Sequence, residues 1–573
     1  MKKGDWESMK VNWFQMIVSL LGGLGVFMYG MRVMSRGLES AGSERMRSWL
    51  QTMTAHPLAG VTTGFVVTCV VQSSSATTVM LVSLVHAGFL QLTQAIGVVM
   101  GANIGTTFTG WVVALLGFKI KISNFALPAI ATGVLMIFLW PRRRRGLWGE
   151  ILVGFGLLFL GLMFMKQAVK PLSNSPEVVA WMQHYSASGG YASILMAVGI
   201  GSLATLALQS SSATMALTMT LAQQGLIDFP TAAALILGEN IGTTVTANLA
   251  AIGTNISARR AAVAHFFFNI LGVLWVVILF HPFIMLIEWM VPGQVMAKDL
   301  AVRNLAIASH MAAYHTTFNV LNTIIFLPFV GTLAKFVTRV IPGELAGPEK
   351  QHILYLDSRL ISTPDLALTA AHKELHRMSE HTTEMFRSVM KLFERYDQAS
   401  KPLVERIEHC EDVVDNLERE IAQYLAEVSQ HQLSAKSTRE VANFMNMAHN
   451  FEKIGDHCES LLRYLKRKYD NGVIFSKVGA SQIHELAQLV DEFLALVEAN
   501  ILEPADIMEK SDQLEKAIDK MRGELRDEHT QRLIRGECEV PAALIFIDML
   551  SSFEKIGDQA FNIASYISQT RDH

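Results

Sequence analysis

Two clusters of amide and hydroxyl side chains, each present twice, have the residue types and spacing that could do chemistry. The sequence Gln-Ser-Ser-Ser-Ala-Thr at Gln72–Thr77 recurs at Gln209–Thr214, and Asn-Ile-Gly-Thr-Thr at Asn103–Thr107 recurs at Asn240–Thr244. Both recurrences are displaced by the same 137 positions (72 to 209, 103 to 240). All four clusters lie in apolar stretches, where an amide or hydroxyl without a partner costs roughly 2–7 kcal/mol. Something must satisfy these groups, and a bound ligand could do so.

A helix that is broken at such a cluster exposes backbone carbonyls on one half and backbone amides on the other. Carbonyl and hydroxyl oxygens suit Na⁺, a hard cation, and the N-terminus of a half-helix suits an oxyanion. We therefore expect an anion to move together with a cation. The alternative, that Ser, Thr and Gly only allow close helix packing, accounts less well for two copies with equal spacing. The residues predicted to bind substrate and sodium are Gln72, Ser73, Ser74, Ser75, Thr77, Asn103, Thr106, Thr107, Gln209, Ser210, Ser211, Ser212, Thr214, Glu239, Asn240, Thr243 and Thr244.

Glu239 distinguishes the two copies, because the first reads Gly-Ala-Asn where the second reads Gly-Glu-Asn. An acid within a membrane segment is a functional candidate by default. It could supply the negative charge of a sodium site or titrate and couple a proton. The alternative is a protonated acid that is hydrogen-bonded at a helix break. Because no Arg or Lys lies among the motifs, dipoles and co-bound Na⁺ would hold the anion.

The elements that must position these clusters follow from hydropathy. The chain has 573 residues, of which 51% are hydrophobic, and long apolar stretches end near Ile341. The regions 57–88 and 193–224 are apolar but interrupted by hydroxyl clusters, which predicts broken or re-entrant helices. Stretches long enough to cross a bilayer core, about 20 residues, are predicted at 13–34, 92–117, 124–140, 147–166, 229–252, 260–287 and 304–334.

The duplication predicts a membrane domain over 1–340, with repeat one at about 13–141, repeat two at about 147–290 and an extra helix at about 304–334. Arg142–Arg145 form a positive block between the copies, which places that connection in the cytoplasm. Three crossings per copy then make the repeats inverted and place the C-terminus inside. The same count places three N-terminal lysines, Lys2, Lys3 and Lys10, on the outer side, whereas positive residues normally lie on the cytoplasmic side. Inverted repeats commonly place a binding site near the bilayer midplane.

A second echo, His-x-x-Phe-Asn, occurs at His265–Asn269 and at His315–Asn319. The spacing puts His and Asn on one helical face, together with Asn322 in the later helix. We expect interhelical hydrogen bonding from these residues ahead of contact with substrate.

After a linker at 341–363, residues 364–573 predict a soluble domain of six amphipathic helices. Phe-Glu-Lys-Ile-Gly-Asp occurs at Phe451–Asp456 and at Phe553–Asp558, which indicates two three-helix bundles. Glu-x-x-x-Asp pairs place two carboxylates on one helical face and could bind a metal, although Lys453 and Lys555 could neutralise them instead. The pairs are Glu411 with Asp415, Glu452 with Asp456, Glu515 with Asp519, and Glu554 with Asp558. Four widely spaced cysteines without C-x-x-C argue against a disulfide scaffold or zinc ribbon.

The duplicated Gln-Ser-Ser-Ser and Asn-Ile-Gly-Thr-Thr clusters, together with the segment Ala264–Gly272, resemble the type II sodium-phosphate cotransporter family. The soluble tail, with its Glu-x-x-x-Asp pairs, resembles the PhoU family. The resemblance implies sodium-coupled transport of inorganic phosphate, with both Gln-Ser-Ser-Ser regions forming the phosphate and sodium sites. It also implies an all-α, polytopic protein of a bacterial inner membrane with a cytoplasmic tail. That tail would regulate transport, bind a divalent or iron cluster, and contact phosphate-signalling proteins or a second copy. The alternatives are a membrane-bound phosphate sensor and a carrier of another oxyanion. We find no nucleotide-binding, hydrolase or zinc-protease motif, which argues against an enzyme, and we expect no nucleic-acid partner.

Overall fold

The computed structural model describes residues 13–571 apart from 53–55, 87, 120–122, 141–143, 174, 296–299, 344–353, 362, 398–399, 432 and 503–504. Across the described ranges the chain is helical and contains no strands, so the predicted all-α class is confirmed. The chain divides between Leu345 and Ala346 into two compact units. Lys2, Lys3, Lys10, Arg142 and Arg143, which enter the orientation argument, lie outside the described residues.

The first unit, which we call the membrane unit, contains fourteen α-helices in its described part. They are α1 (Trp13–Thr52), α2 (Pro57–Val71), α3 (Ser74–His86), α4 (Leu92–Val112), α5 (Ser123–Leu139), α6 (Arg144–Ser173), α7 (Pro176–His184), α8 (Tyr191–Leu208), α9 (Ser211–Gln223), α10 (Phe229–Ala250), α11 (Ile256–Ile278), α12 (Phe280–Met290), α13 (Leu300–Phe326) and α14 (Val330–Val340).

Six described stretches are long and apolar enough to cross a bilayer, which makes this a multi-pass membrane protein. They are Trp13–Leu38, Leu92–Gly117, Arg145–Ser173, Tyr191–Leu208, Ile256–Ile278 and Ala306–Val340. The predicted spans at 124–140 and 229–252 form α5 and α10 but are not among the six. The predicted span at 260–287 is divided at Leu279 into α11 and α12.

Glycines let α2 lie directly on α4, and α8 lies on α10 in the same way. A Cβ atom at Gly64 would collide with the Val98 carbonyl, and one at Gly101 would lie 2.7 Å from the Phe65 amide nitrogen. The equivalent Gly238 would bring a Cβ within 2.8 Å of the Ser202 nitrogen. The two copies therefore share one packing arrangement as well as one sequence pattern.

α1 and α6, the first helices of the two copies, pack against each other in opposite directions. A Cβ at Gly161 would lie 2.6 Å from the Gly23 carbonyl oxygen, and one at Gly154 would lie 2.7 Å from that of Gly30. The residue numbers at the contacts thus increase along α1 while they decrease along α6, which defines antiparallel packing. Such reciprocal contacts are expected where a two-fold operation relates two equivalent surfaces.

The second unit, which we call the soluble unit, consists of α15 (Pro364–Glu394), α16 (Lys401–Val428), α17 (Ala435–Asp470), α18 (Lys477–Asn500), α19 (Met508–Ile534) and α20 (Val540–Arg571). The first three helices pack on one another, as do the last three, and α17 with α20 joins the two groups. Side-chain caps start several of these helices; Ser476 Oγ, for example, accepts from the Gly479 amide at 3.1 Å. The six helices and two three-helix bundles were predicted and are confirmed.

Residues 354–360, within the predicted linker, pack on the soluble unit. The amides of Leu354 and Tyr355 donate to Glu374 Oε1 at 2.6 and 2.7 Å. The Tyr424 hydroxyl donates to the Asp357 carbonyl at 3.1 Å. This part of the linker is therefore held by the soluble unit.

Candidate functional site

The helix breaks predicted at the Gln-Ser-Ser-Ser clusters are present at the same residue of each copy. Gln72 ends α2 with φ 54° and ψ 23°, and Gln209 ends α8 with φ 51° and ψ 28°. They are the two non-glycine residues of the described chain at positive φ. This left-handed conformation costs roughly 1–2 kcal/mol for an L-residue and, where it persists, is often tied to function. Since α2 and α3 have 15 and 13 residues, each is about 20 Å long, shorter than the roughly 30 Å apolar core, which indicates a re-entrant hairpin.

Hydroxyl groups hold the two breaks with matching bonds. Across the first break, Thr68 Oγ1 donates to Thr77 Oγ1 at 3.1 Å, and the Ser73 hydroxyl accepts from the Ala76 amide. Across the second, Thr205 Oγ1 donates to Thr214 Oγ1 at 3.1 Å. Thr77 and Thr214 were predicted to bind ligand, but these bonds give both a role in closing the hairpin.

A glutamine clamp is closed in the first copy and open in the second. Gln72 is buried, and its Oε1 accepts from Thr109 Oγ1 at 3.0 Å. The equivalent Gln209 is exposed. The equivalent of Thr109 is Thr246, whose hydroxyl donates instead to the Thr243 carbonyl of its own helix at 2.8 Å. Two copies of one sequence thus have different partners.

An asparagine clamp shows the same asymmetry. Asn103 Nδ2 donates to Asn269 Oδ1 at 2.8 Å, which joins α4 to α11. In the second copy, Asn240 Nδ2 donates to the Ile236 carbonyl of its own helix at 2.9 Å. Asn319, the counterpart of Asn269 in the His-x-x-Phe-Asn echo, has a buried Oδ1 without a hydrogen-bond partner. Both clamps are therefore closed in the copy that contains Gln72 and open in the other.

A small cavity, with room for about one water molecule in the observed state, lies between the two copies. α4 of the first copy, the first turn of α9 of the second copy, and α13 form its walls. Ser210 caps α9 by accepting from the Ala213 amide at 3.2 Å, and the first-turn amides of Ser211 and Ser212 have no acceptor within a helix by geometry. Its lining residues are Thr106, Thr109, Gly110, Val113, Ser211, Ser212, Met215 and His315. The cavity therefore combines a helix N-terminus with hydroxyls and an imidazole.

Only some of the predicted binding residues reach this cavity. Thr106, Ser211 and Ser212 do, whereas the others lie at the breaks or in the helix interfaces. Thr109 and His315 also line the cavity, although neither was among the predicted binding residues, and the prediction for His315 was interhelical hydrogen bonding. The available signals were the recurrence of Thr109 as Thr246, 137 positions later, and the recurrence of His315 in the His-x-x-Phe-Asn echo. Lys166 of α6 lies apart from the lining and donates to the Gly117 carbonyl at 2.6 Å.

Glu239 is buried on α10, 1% exposed, as expected for an acid inside an apolar segment. The Thr218 hydroxyl of α9 donates to Glu239 Oε1 at 3.1 Å, and Oε2 is buried without a partner. An orphan carboxylate oxygen needs a proton or a cation, since a buried unpaired acceptor is costly. The geometry leaves the sodium and proton alternatives open.

Interhelical bonding, predicted for the His-x-x-Phe-Asn residues and Asn322, is present for Asn269 and Asn322 but not for Asn319 or His265. Asn269 bonds to α4, as above, and Asn322 Oδ1 accepts from Trp275 Nε1 of α11 at 3.1 Å. His265 is 1% exposed, and both of its ring nitrogens lack partners, so the prediction is wrong for that residue. His315 has a buried Nδ1 without a partner.

The Glu-x-x-x-Asp pairs of the first bundle face each other across α16 and α17. Burial and the Asp415 carboxylate raise the pKa of Glu411 to about 7, and burial with the Asp456 charge raises the pKa of Asp415. Lys453 Nζ lies 2.9 Å from Asp456 Oδ2 and 3.2 Å from a carboxylate oxygen of Glu452. Lys453 thus pairs with both motif carboxylates of α17, as the sequence had allowed, while Glu411 and Asp415 still repel each other.

In the second bundle the corresponding carboxylates lie on α19 and α20. Burial, followed by Asp519, raises the pKa of Glu515, and Arg522 forms an ion pair with Glu554. Over the described residues, no three predicted ligands from either acidic cluster gather their oxygens within 4.8 Å of one another. The predicted divalent or iron cluster is therefore not supported, and Lys453 and Arg522 already pair with three of the eight carboxylates. His381, Glu384 and Cys410 do meet that distance, but Arg406 already pairs with Glu384.

Comparison with known families assigns both units. Residues 26–167 and 187–289 match the Na⁺/Pi-cotransporter family, and residues 375–465 and 483–567 match the PhoU domain. The chain joins a Na⁺/Pi-cotransporter domain to a PhoU domain. The resemblance drawn from the duplicated motifs is thereby confirmed.

Relatives of this chain occur in bacteria and in mammals. The "Putative inorganic phosphate export protein YjbB" of Salmonella typhimurium is 28% identical over 449 residues, covering 78% of this chain and 77% of the relative. The "Uncharacterized protein YqeW" of Bacillus subtilis is 28% identical over 318 residues, 56% of this chain and 96% of its own length. The rat "Sodium-dependent phosphate transport protein 2A" is 37% identical over 99 residues, 17% of this chain and 16% of its own. No solved structure gives a significant match.

Proposed function

We propose that the membrane unit carries inorganic phosphate together with Na⁺ across a bacterial inner membrane. The observation that carries this proposal is the cavity between the two copies, where the first turn of α9 meets the hydroxyls of α4. A helix N-terminus presents free amides and a partial positive charge, which suit a tetrahedral oxyanion. Membership of the Na⁺/Pi-cotransporter family makes phosphate the leading substrate and points to a transporter rather than an enzyme.

Sodium would supply the charge that the cavity lacks. Among its described lining residues there is no lysine or arginine. The C-terminal carbonyls of α2 and α8, the neighbouring serine hydroxyls, and the orphan Oε2 of Glu239 offer oxygen ligands of the kind that a hard cation takes. A co-bound cation would then offset the charge of the anion, so that neither ion is favourable in the membrane alone.

Exchange between the two clamped states would move the site from one side to the other. One copy has both clamps closed and the other has both open, although their motifs are the same. We expect the opposite state to pair Gln209 with Thr246 and Asn240 with Asn319 while the first copy opens. The antiparallel packing of α1 on α6 supports copies of inverted orientation, for which such an exchange gives alternating access.

Phosphate export is a second candidate for the direction of net flux. It is favoured by the name of the Salmonella relative, a putative inorganic phosphate export protein, which aligns with 78% of this chain. Coupling and direction are separate questions, because a carrier runs in whichever direction the summed gradients favour. Phosphate-loaded inside-out and right-side-out vesicles would show the direction under imposed gradients.

The PhoU domain would lie in the cytoplasm and regulate the carrier. The repeated bundles present carboxylates that are already held by Lys453 and Arg522, so regulation need not involve a resident metal. Contacts with phosphate-signalling proteins or with a second copy of the chain are the partners that we propose for this unit.

Counterflow of labelled phosphate separates a carrier from a sensor. Purified protein in proteoliposomes loaded with unlabelled phosphate should take up label transiently, because a carrier exchanges substrate across the membrane. The double change Ser211→Ala and Ser212→Ala should weaken exchange. Ser83→Ala is the matched control, since Ser83 is buried and donates to the Val79 carbonyl of its own helix at 3.3 Å. Binding of phosphate without any counterflow would favour the sensor.

A further inference from the structure

His315 is the one ionisable side chain among the described residues that line the cavity. It is 3% exposed, and its Nδ1 is buried without a hydrogen-bond partner. A Cβ atom at Gly110, which also lines the cavity, would lie 4.0 Å from this Nδ1. The unpartnered nitrogen therefore lies beside Gly110, one of the residues that form the cavity wall.

The other polar groups that line the cavity differ from this nitrogen in their hydrogen bonding. The Thr106 hydroxyl donates to the Ala102 carbonyl at 3.0 Å, and the Thr109 hydroxyl donates to Gln72, so both protons are committed within the protein. The amides at the start of α9 are donors only. These walls can hold the unprotonated oxygens of an anion through the α9 amides. The neutral imidazole adds a basic nitrogen that accepts a hydrogen bond when the ring proton is on Nε2.

Phosphate near neutral pH carries at least one P–OH group, whereas sulfate carries no proton. A buried acceptor that is satisfied by P–OH would be left unpaired by sulfate, and sites of that kind reject the analogue that lacks the bond. We propose that His315 accepts a hydrogen bond from the P–OH group of bound phosphate at Nδ1 and so selects protonated tetrahedral oxyanions over sulfate. This inference rests on the proposed phosphate site and names the residue that makes that site selective.

The echo of the same motif offers a matched control. His265 is 1% exposed, and neither of its ring nitrogens has a partner, yet it is not among the residues lining the cavity. A change of either histidine to leucine removes an imidazole that is buried to nearly the same extent. A difference between the two variants therefore reports on the cavity rather than on the loss of a buried ring.

The experiment measures binding and counterflow of phosphate, arsenate and sulfate with the detergent-purified full chain and with proteoliposomes. His315→Leu should weaken phosphate and arsenate about tenfold or more while leaving sulfate unchanged or better bound, because one buried hydrogen bond is lost. His315→Asn keeps an acceptor near the position of Nδ1 and should recover part of the selectivity. His265→Leu should keep the wild-type selectivity. Each variant is checked for membrane insertion and a monodisperse elution profile.

An unchanged ratio of phosphate to sulfate affinity in well-folded His315→Leu would overturn the inference. The same holds if His315→Asn and His315→Leu are alike, or if His265→Leu changes selectivity as much. The proposed function fails separately, when the wild-type protein binds phosphate but shows no counterflow, and the binding comparison still tests His315. Wild-type protein that binds no phosphate would overturn both.

Discussion

Thr109→Val removes the closed glutamine clamp with little change in volume. Thr109 is 3% exposed, and its hydroxyl donates to Gln72 Oε1 at 3.0 Å. Gln72 would keep its bond from Nε2 to the Cys69 carbonyl, so the helix break itself should persist. The change therefore acts on the clamp and leaves the hairpin in place.

The size of the effect follows from the burial of Gln72, which is 5% exposed. Removal of the donor leaves a buried amide oxygen without a partner, which costs about 1–3 kcal/mol. If the opposite state already exposes this oxygen to another partner or to water, the equilibrium between the two states shifts by about 5- to 150-fold. We expect a shift in population toward the state in which the first copy is open.

Cys69 provides the assay, because it lies three residues before Gln72. Its thiol is partly buried and donates to the Gly105 carbonyl at 3.8 Å. The other three cysteines of the chain are in the soluble unit and can be replaced by alanine, which leaves Cys69 as the single thiol. The rate at which a small thiol reagent labels Cys69 then measures how often the first copy opens. Thr109→Val should raise that rate.

Thr246→Val is the matched variant in the second copy. Its hydroxyl bonds within α10 in the observed state and is expected to bind Gln209 only in the opposite state. It should therefore lower the labelling of Cys69 or leave it unchanged. Equal acceleration by both variants, or no acceleration by Thr109→Val in well-folded protein, would refute the exchange of clamps.

Three further predictions address the cation, the packing and the soluble unit. Glu239→Gln should weaken sodium activation of phosphate uptake more than membrane insertion, because Oε2 is the buried orphan oxygen; unchanged sodium activation would remove Glu239 from the site. Gly101→Ala should lower the stability of the membrane unit by about 1–3 kcal/mol or more, because the added Cβ would collide with the Val61 carbonyl. Thermal inactivation measures this, with Gly199→Ala, which meets nothing within 4 Å, as the control. In the first bundle, the raised pKa of Glu411, about 7 against 4.5, means that the folded state binds the proton more tightly than the unfolded state. Stability should therefore fall as pH rises from about 4.5 to about 7, by under about 1 kcal/mol after solvent screening. Hydrogen-exchange protection of α16 and α17 in the full chain should follow this trend, and Glu411→Gln should flatten it while the exposed Glu427→Gln does not.

The duplicated spacing was enough to predict where the helices break. Polar residues in an apolar segment have few ways to be satisfied, so the breaks at Gln72 and Gln209 follow from their chemistry. The asymmetry between the copies could not be predicted, because Thr109 and Thr246 are the same residue at the same spacing. Their different partners depend on the state of the whole unit, which a local pattern does not contain.

The predicted span at 229–252 shows the limit of hydropathy. α10 carries Glu239 and a series of threonines, yet 15 of its 22 residues are buried against other helices. An apolar stretch of the right length therefore cannot distinguish a helix facing lipid from one enclosed by protein. The metal prediction is left without support for a similar reason, since sequence spacing aligned the carboxylates but could not show Arg522 paired with Glu554.

Phosphate flux in proteoliposomes with an imposed and with a collapsed sodium gradient tests the central claim most directly. The account predicts phosphate accumulation that follows the imposed Na⁺ gradient, stops when the gradient is collapsed, and is not restored by potassium. Equal phosphate flux with and without the sodium gradient would contradict it.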